Sequence, residues 1–254
     1  MVKRKQVESR VYHECGAEMQ ESVVIFDIET TGLKHHDTIT VICAIEQAIS
    51  HPEVYKEHRF NVLETAKSSE AGLELCKEFL GLVNGASKLV AYNGLAFDIP
   101  FVVRWANSYG LVVDKYAWDL KTIDFYKIIL RRTGIHFKMQ KLCENNALEV
   151  SKSGTGLDAV QWAKEGNYEK LMLYCMQDVI VLRMLLLRAC TQGLCVSIVR
   201  EQNSAYENST VVLKLAGKME NVVIEKENVG AQAESTRHSY QGVVDAVCEV
   251  CEHA

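Results

Sequence analysis

Hydrophobic and polar positions along the chain change period several times. Val23-Val24-Ile25-Phe26 runs unbroken into Asp27, and residues 22–28 read as a buried strand. Thr30-Thr31-Gly32 ends it in a turn. Thr38 to Gln47 predicts a second strand, and His51-Pro52 breaks it. Val54 to Phe60 predicts a third, more polar strand at a sheet edge. Ser68 or Ser69 can cap a helix through Leu82, which Asn84-Gly85 ends. Lys88 to Tyr92 predicts a short strand. Pro100 fits only a first helical turn, so the next helix starts near Asp98 and runs to about Tyr109. Tyr116 to Asp119 predicts one more strand, and from Lys121 the pattern is helical. Gly134 and Ser153-Gly154-Thr155-Gly156 interrupt it, and a long helix spans roughly Tyr168 to Cys190. This order predicts an α/β fold, one mixed five-stranded sheet flanked by helices.

Composition narrows the class. The chain has 254 residues, 48% hydrophobic and 24% charged, enough for one sizeable core. A net charge of -5 argues against bulk electrostatic coating of nucleic acid, though not against a nucleic-acid enzyme whose acidic site is neutralised by metal. Nine cysteines, an odd number, read as reduced thiols of an intracellular protein, cytoplasmic or nuclear. Met1 to Arg10 is polar, with no apolar export signal after it, and no apolar run is long enough to span a membrane. Residues 1–20 are expected to be a loose lead-in and 21–192 the main domain. Residues 193–254 form an extension without an assigned role, with a small hairpin (Thr210 to Leu215 against Asn221 to Glu225) and a flexible Gly230 to His238.

Two places carry acids where apolar residues dominate. Asp27 and Glu29 lie two apart at a strand end, so their side chains leave one face. Like charges so placed repel unless a cation lies between them, and oxygen-only ligands suit Mg²⁺ or Mn²⁺. A solvated strand end would present the same pair. Asp178 is the single acid of the apolar run Leu171 to Leu182, and Tyr174, one turn earlier, shares its face. Asp98, at a predicted helix start, sits where the helix dipole favours a carboxylate.

Asp27-Ile28-Glu29, Asn93-x-x-x-Phe97-Asp98 and Tyr174-x-x-x-Asp178, in that order, resemble the three motifs of the DnaQ-like 3′–5′ exonucleases, of ribonuclease-H-like fold. Leu173 followed by Tyr174 matches the tyrosine (DEDDy) subgroup. Asp119 to Asp124 is similar to the family's segment between its second and third motifs. The resemblance covers about residues 20–190. It implies that Asp27, Glu29, Asp98 and Asp178 hold two divalent ions, Mg²⁺ or Mn²⁺, with Asp27 bridging both. Glu29 and Asp178 would complete the tighter site, and Asp98 the other, partly through water. It implies that Tyr174 orients the attacking water; a phenol of pKa about 10 is a poor base at neutral pH. Thr30 and Leu33 stand at substrate-contacting positions, Thr30 near the 3′-hydroxyl and Leu33 against the base. Asn93 and Phe97 stand beside the site as supports.

The implied activity is 3′–5′ hydrolysis of single-stranded DNA or RNA from a free 3′ end, releasing nucleoside 5′-monophosphates. Two alternatives stay open: a nuclease for short oligonucleotides or structured RNA, and a non-catalytic module binding nucleic acid or a polymerase. A polymerase or repair protein acting with the chain is expected to be a separate polypeptide. Lys121, Lys127, Arg131, Arg132, Lys138 and Lys141 face one acid, Asp124, with Phe125, Tyr126 and Phe137 interleaved. That window suits a single strand, or equally a solvated helix face with core aromatics. Cys248, Cys251 and His253 resemble half a zinc site, which His13 and Cys15 could complete; an exposed tail is the default expectation.

Overall fold

The computed structural model describes residues 11–12, 21–34, 36–148, 154–202, 205–216 and 221–227. Cys248, Cys251, His253, His13, Cys15 and the Gly230 to His238 stretch lie outside them. The chain divides into two compact units, residues 1–139 with 150–188, and residues 140–149 with 189–254.

The first unit begins with β1 (Val11–Tyr12), β2 (Ser22–Thr30), β3 (Ile39–Ala48) and β4 (Tyr55–Phe60), an antiparallel set. A single turn, α1 (Val62–Thr65), leads to α2 (Ser69–Gly85), whose N–H of Ala71 donates to the Ser68 side chain. Then come β5 (Lys88–Ala91), α3 (Asp98–Ser108), α4 (Lys115–Lys121), β6 (Thr122–Asp124) and α5 (Phe125–Thr133). Strand order is β1-β4-β3-β2-β5-β6, with β5 parallel to β2 and β6 parallel to β5. This is the mixed five-stranded sheet flanked by helices, with the two-residue β1 added at one edge.

The edge beyond β4 is taken by β1, pairing Val11 with Lys56 and Tyr12 with Tyr55. One strand expectation changes. Tyr116 to Asp119 is helical rather than extended. Asp114 caps α4 by accepting from Ala117 N at 3.0 Å, Lys115 pairs with Asp119 at 2.5 Å one turn on, and Trp118 turns into the core. The sheet is instead continued by β6, just downstream.

Period-two alternation gives β2 two buried faces. Val24, Phe26 and Ile28 join the core beneath α2 and α3, with Ile42, Phe60, Phe79 and Val102. Val23, Ile25, Asp27 and Glu29 take the opposite face. There α7 (Gly156–Lys164) follows a capping box in which Thr155 and Asp158 bond reciprocally, and α8 (Tyr168–Thr191) crosses the sheet. Cys43 of β3 donates to the Met172 carbonyl at 3.4 Å, which seats α8 on this face.

The second unit contains most of α6 (Met139–Asn145) and the antiparallel meander β7 (Leu194–Gln202), β8 (Ala205–Ala216) and β9 (Asn221–Glu227). The expected hairpin is the β8–β9 pair, and β7 makes it three-stranded. Asn146 ties the unit together, accepting from Cys195 N at 2.8 Å and donating to its carbonyl at 2.9 Å. Among the described residues no helix is long and apolar enough to cross a membrane.

Candidate active site

The end of β2 places the first two acids. Parallel pairing with β5 stops at Ile25 against Val90, while pairing with β3 continues to Glu29 and Val41. Asp27 and Glu29 therefore leave the sheet beside a gap on the β5 side. One oxygen each of Asp27, Glu29 and Asp178 lies within 4.8 Å of the others. Asp178 reaches them from α8, where Tyr174 bonds to its carboxylate.

Asp98 enters from the β5 side. Its Oδ1 accepts the N–H of Ile28 at 3.2 Å, a donor that β5 no longer reaches. The carboxylate thus stands in for the missing strand and is pinned next to Asp27. Asp98 is 3% exposed and is the first residue of α3.

These acids perturb one another. Asp27 is half-buried yet densely surrounded. Burial first, then the charges of Asp98, Glu29 and Asp178, push its pKa well above the carboxylate range. Asp98 is raised to about 7, chiefly by burial and in part by Asp124, against the lowering effect of its backbone N–H partners. Tyr174 is raised above an ordinary phenol by burial and then by Asp178, Glu29 and Asp27, so it stays protonated at neutral pH. A cluster of half-buried carboxylates beside the buried Asp98, with only oxygen donors, fits a divalent cation such as Mg²⁺ or Mn²⁺, whose charge would reverse these shifts.

The other expected positions lie at the end of β2 and on the segments that follow β2 and β5. Thr30, 5% exposed, follows a register irregularity after Glu29, and its hydroxyl donates to the Gly32 carbonyl at 2.6 Å. Leu33 is 84% exposed at the turn's outer end. Asn93 takes a left-handed φ of 67°, and Phe97 packs its ring 4.8 Å from that of Phe101. Several residues of the basic window are engaged within the fold. Lys121 donates to the carbonyls of Val83, Asn84 and Ala86 at the end of α2, and Phe125 and Phe137 are buried in the core. Lys141 pairs with Glu144 at 3.1 Å. Tyr126 is partly exposed, its hydroxyl bonded to His136 Nδ1.

Four supports had no structural role in the sequence reading. Asp37 holds the turn after β2, accepting from Lys34 N at 2.7 Å and from the Thr31 hydroxyl at 3.2 Å. A Cβ at Gly32 would come within 2.6 Å of its carboxylate, so a larger residue there would have to displace Asp37. Cys175 donates its thiol to the Asp27 carbonyl at 3.3 Å, backing the strand. Trp162 meets Tyr174 edge-on, ring centroids 5.8 Å apart, and has the Lys170 ammonium 4.2 Å from its own centroid. Asp124 gathers backbone N–H groups from two elements. Its position just before the amphipathic run 125–133 was a readable capping signal; its long-range bonds left none.

The chain belongs to the RNase H superfamily, whose model matches residues 24–189. That span holds all four acids and Tyr174. Comparison with curated proteins gives no match. Among solved structures, the chain is similar to exonuclease I, in a structure concerned with processivity, at 15% identity and TM-score 0.41, covering 78% of this chain and 56% of that one. It is similar to E. coli exonuclease I with a dT13 oligonucleotide at 16% identity and TM-score 0.40, over 77% and 52%. Product-bound exonuclease I matches at 15% identity and TM-score 0.39, over 92% and 72%. The chain thus spans little more than half of the first of these proteins. Similarity at this level says nothing of substrate or direction.

Proposed function

We propose that the chain is a metal-dependent 3′–5′ exonuclease of the tyrosine type, acting on single-stranded nucleic acid. The observation that carries this reading is the convergence of Asp27, Glu29 and Asp178 within 4.8 Å, with Tyr174 bonded to Asp178. Asp98 completes the set from the neighbouring helix start. Four oxygen-bearing side chains from three elements, gathered where charge is costly, support metal binding more than they support packing. A non-catalytic module would have little use for so expensive a cluster.

Asp27, Glu29, Asp98 and Asp178 are the residues to hold the ions, with Asp27 common to both. Divalent ions, when bound, supply the charge that makes a water nucleophilic at neutral pH and offsets the phosphate. Tyr174 contributes orientation. Its phenol keeps its proton, so it holds a water by hydrogen bonding and leaves deprotonation to others. Thr30 is set to approach the terminal sugar, and the exposed Leu33 to pack on the terminal base. Asn93 and Phe97 shape the neighbouring wall. Cys43, Cys76, Cys175, Cys190 and Cys195 are free thiols, which suits work in a reducing compartment.

The test uses 5′-labelled linear single strands of DNA and RNA, the same strands with a 3′-phosphate, and circles, each in Mg²⁺ and in EDTA. The expected result is stepwise shortening from the 3′ end in Mg²⁺, blocked by the 3′-phosphate. Comparing the two sugars assigns the substrate class. Circles cut as fast as linear strands would make the protein an endonuclease, and full activity in EDTA would end the metal-dependent reading.

A further inference from the structure

The second acid-bearing motif is held in place by a residue outside it. The turn after β5 is tight: Asn93 has φ 67°, and a Cβ at Gly94 would fall 2.4 Å from that of Ala91. Its carbonyl at Asn93 is served within the turn, by Ala96 N and Phe97 N, both at 3.1 Å. The N–H groups of Asn93 and Leu95 instead point to the end of β6. There Asp124 accepts them on separate oxygens, Asn93 N on Oδ1 at 2.9 Å and Leu95 N on Oδ2 at 3.0 Å. Oδ1 also accepts Lys127 N at 3.1 Å, capping α5. Asp124 is 2% exposed and lies opposite Ala91 in the parallel β5–β6 register.

A mechanical chain follows. β6 carries Asp124, Asp124 clamps the Asn93–Leu95 turn, and three residues later that turn delivers Asp98 to the Ile28 N–H and to Asp27. The two oxygens diverge, so each holds a different part of the turn. A single acceptor would leave the turn free to pivot. Partners that orient a metal ligand without touching the metal commonly govern its affinity.

We infer that Asp124 is a positioning residue that sets divalent-metal affinity on the Asp98 side of the cluster. This rests on the metal-dependent reading above, and the experiment separates the two. Mn²⁺ is titrated calorimetrically into the full chain, without nucleic acid, for wild type, Asp124→Asn and the control Asp114→Asn. Asp124→Asn keeps Oδ1 for Asn93 and Lys127 but sets an amide donor against Leu95 N–H. Asp114→Asn alters a comparable helix cap, on α4. Asp124→Ser, which retains a cap for α5 but not the second arm, replaces the asparagine variant if that one does not fold.

The weaker Mn²⁺ event is expected to lose about 10- to 100-fold in affinity in the Asp124 variant. The Asp114 variant is expected to titrate as wild type whatever its melting midpoint. In single-turnover cleavage, the metal concentration needed should rise while the rate at saturating Mn²⁺ largely recovers. Wild-type Mn²⁺ binding in Asp124→Asn, with only its stability lowered, overturns the inference and leaves the nuclease reading standing. Absence of Mn²⁺ binding in the wild type overturns both.

Discussion

Two aspartates at neighbouring helix starts, Asp98 on α3 and Asp124 before α5, differ instructively. Both are almost fully buried, 3% and 2% exposed. Asp124 spends its oxygens on three backbone N–H groups from two elements. Asp98 accepts Ile28 N and its own backbone N–H, and in addition lies within the charges of two acids, Asp27 and Asp124. Burial alone therefore does not mark a reactive site. A buried carboxylate met by donors is structural, and one met by other carboxylates is waiting for positive charge.

The largest expected effect breaks that contrast at its reactive side. Asp27→Asn or Asp98→Asn removes a ligand, and turnover should fall by at least about 1,000-fold, the upper range for a preorganised charge-stabilising group. The same change relieves repulsion, so the metal-free protein should melt at or above the wild-type temperature. Near-wild-type cleavage by either variant would move the site elsewhere.

Next in size is Tyr174→Phe. The ring keeps its contact with Trp162 and loses only the hydroxyl bonded to Asp178. Single-turnover rates should drop roughly 10- to 1,000-fold, with Mn²⁺ affinity little changed. An unchanged rate would reduce Tyr174 to packing.

Stability supplies the third test. Asp124→Ala strips the acceptor from three partly buried N–H groups and should cost about 3 kcal/mol in urea unfolding. Asp98→Ala in the absence of metal should cost far less. Equal losses would erase the distinction between the two residues.

These residues also show what the sequence disclosed. β2 and α8 were legible because each is an apolar run interrupted by acids, and a lone carboxylate in such a run has few innocent explanations. Asp98 was legible through Pro100, which fixes the helix start two residues earlier. The α4 segment misled because Tyr116 and Trp118 alternate like a strand, whereas Asp114 and the Lys115–Asp119 pair decide for a helix. Asp124's second role was illegible in principle. Its partners lie 29 and 31 residues away, and only the parallel β5–β6 register brings them into reach. Lys121 shows the converse, a charge that looked available to a ligand and is taken by the carbonyls ending α2.

The smallest effect is on pH dependence. Folded Asp98 titrates at about 7, above an unfolded aspartate, so between those values the folded state holds a proton that the unfolded state has released. Its contribution to stability is complete at low pH and is lost as pH rises through 7. In EDTA the melting midpoint should decline by several degrees between roughly pH 5 and 7.5, and Asp98→Asn should flatten that slope. Calorimetry over this window would refute the sign if the wild-type midpoint climbed.

The most direct measurement is the melting temperature of wild type and Asp27→Asn at neutral pH, each with and without Mn²⁺. If the clustered acids exist to hold divalent ions, wild type starts lower than the variant and rises steeply with Mn²⁺, while the variant starts high and responds weakly. A wild-type midpoint indifferent to Mn²⁺, with the variant less stable than wild type, would contradict the account.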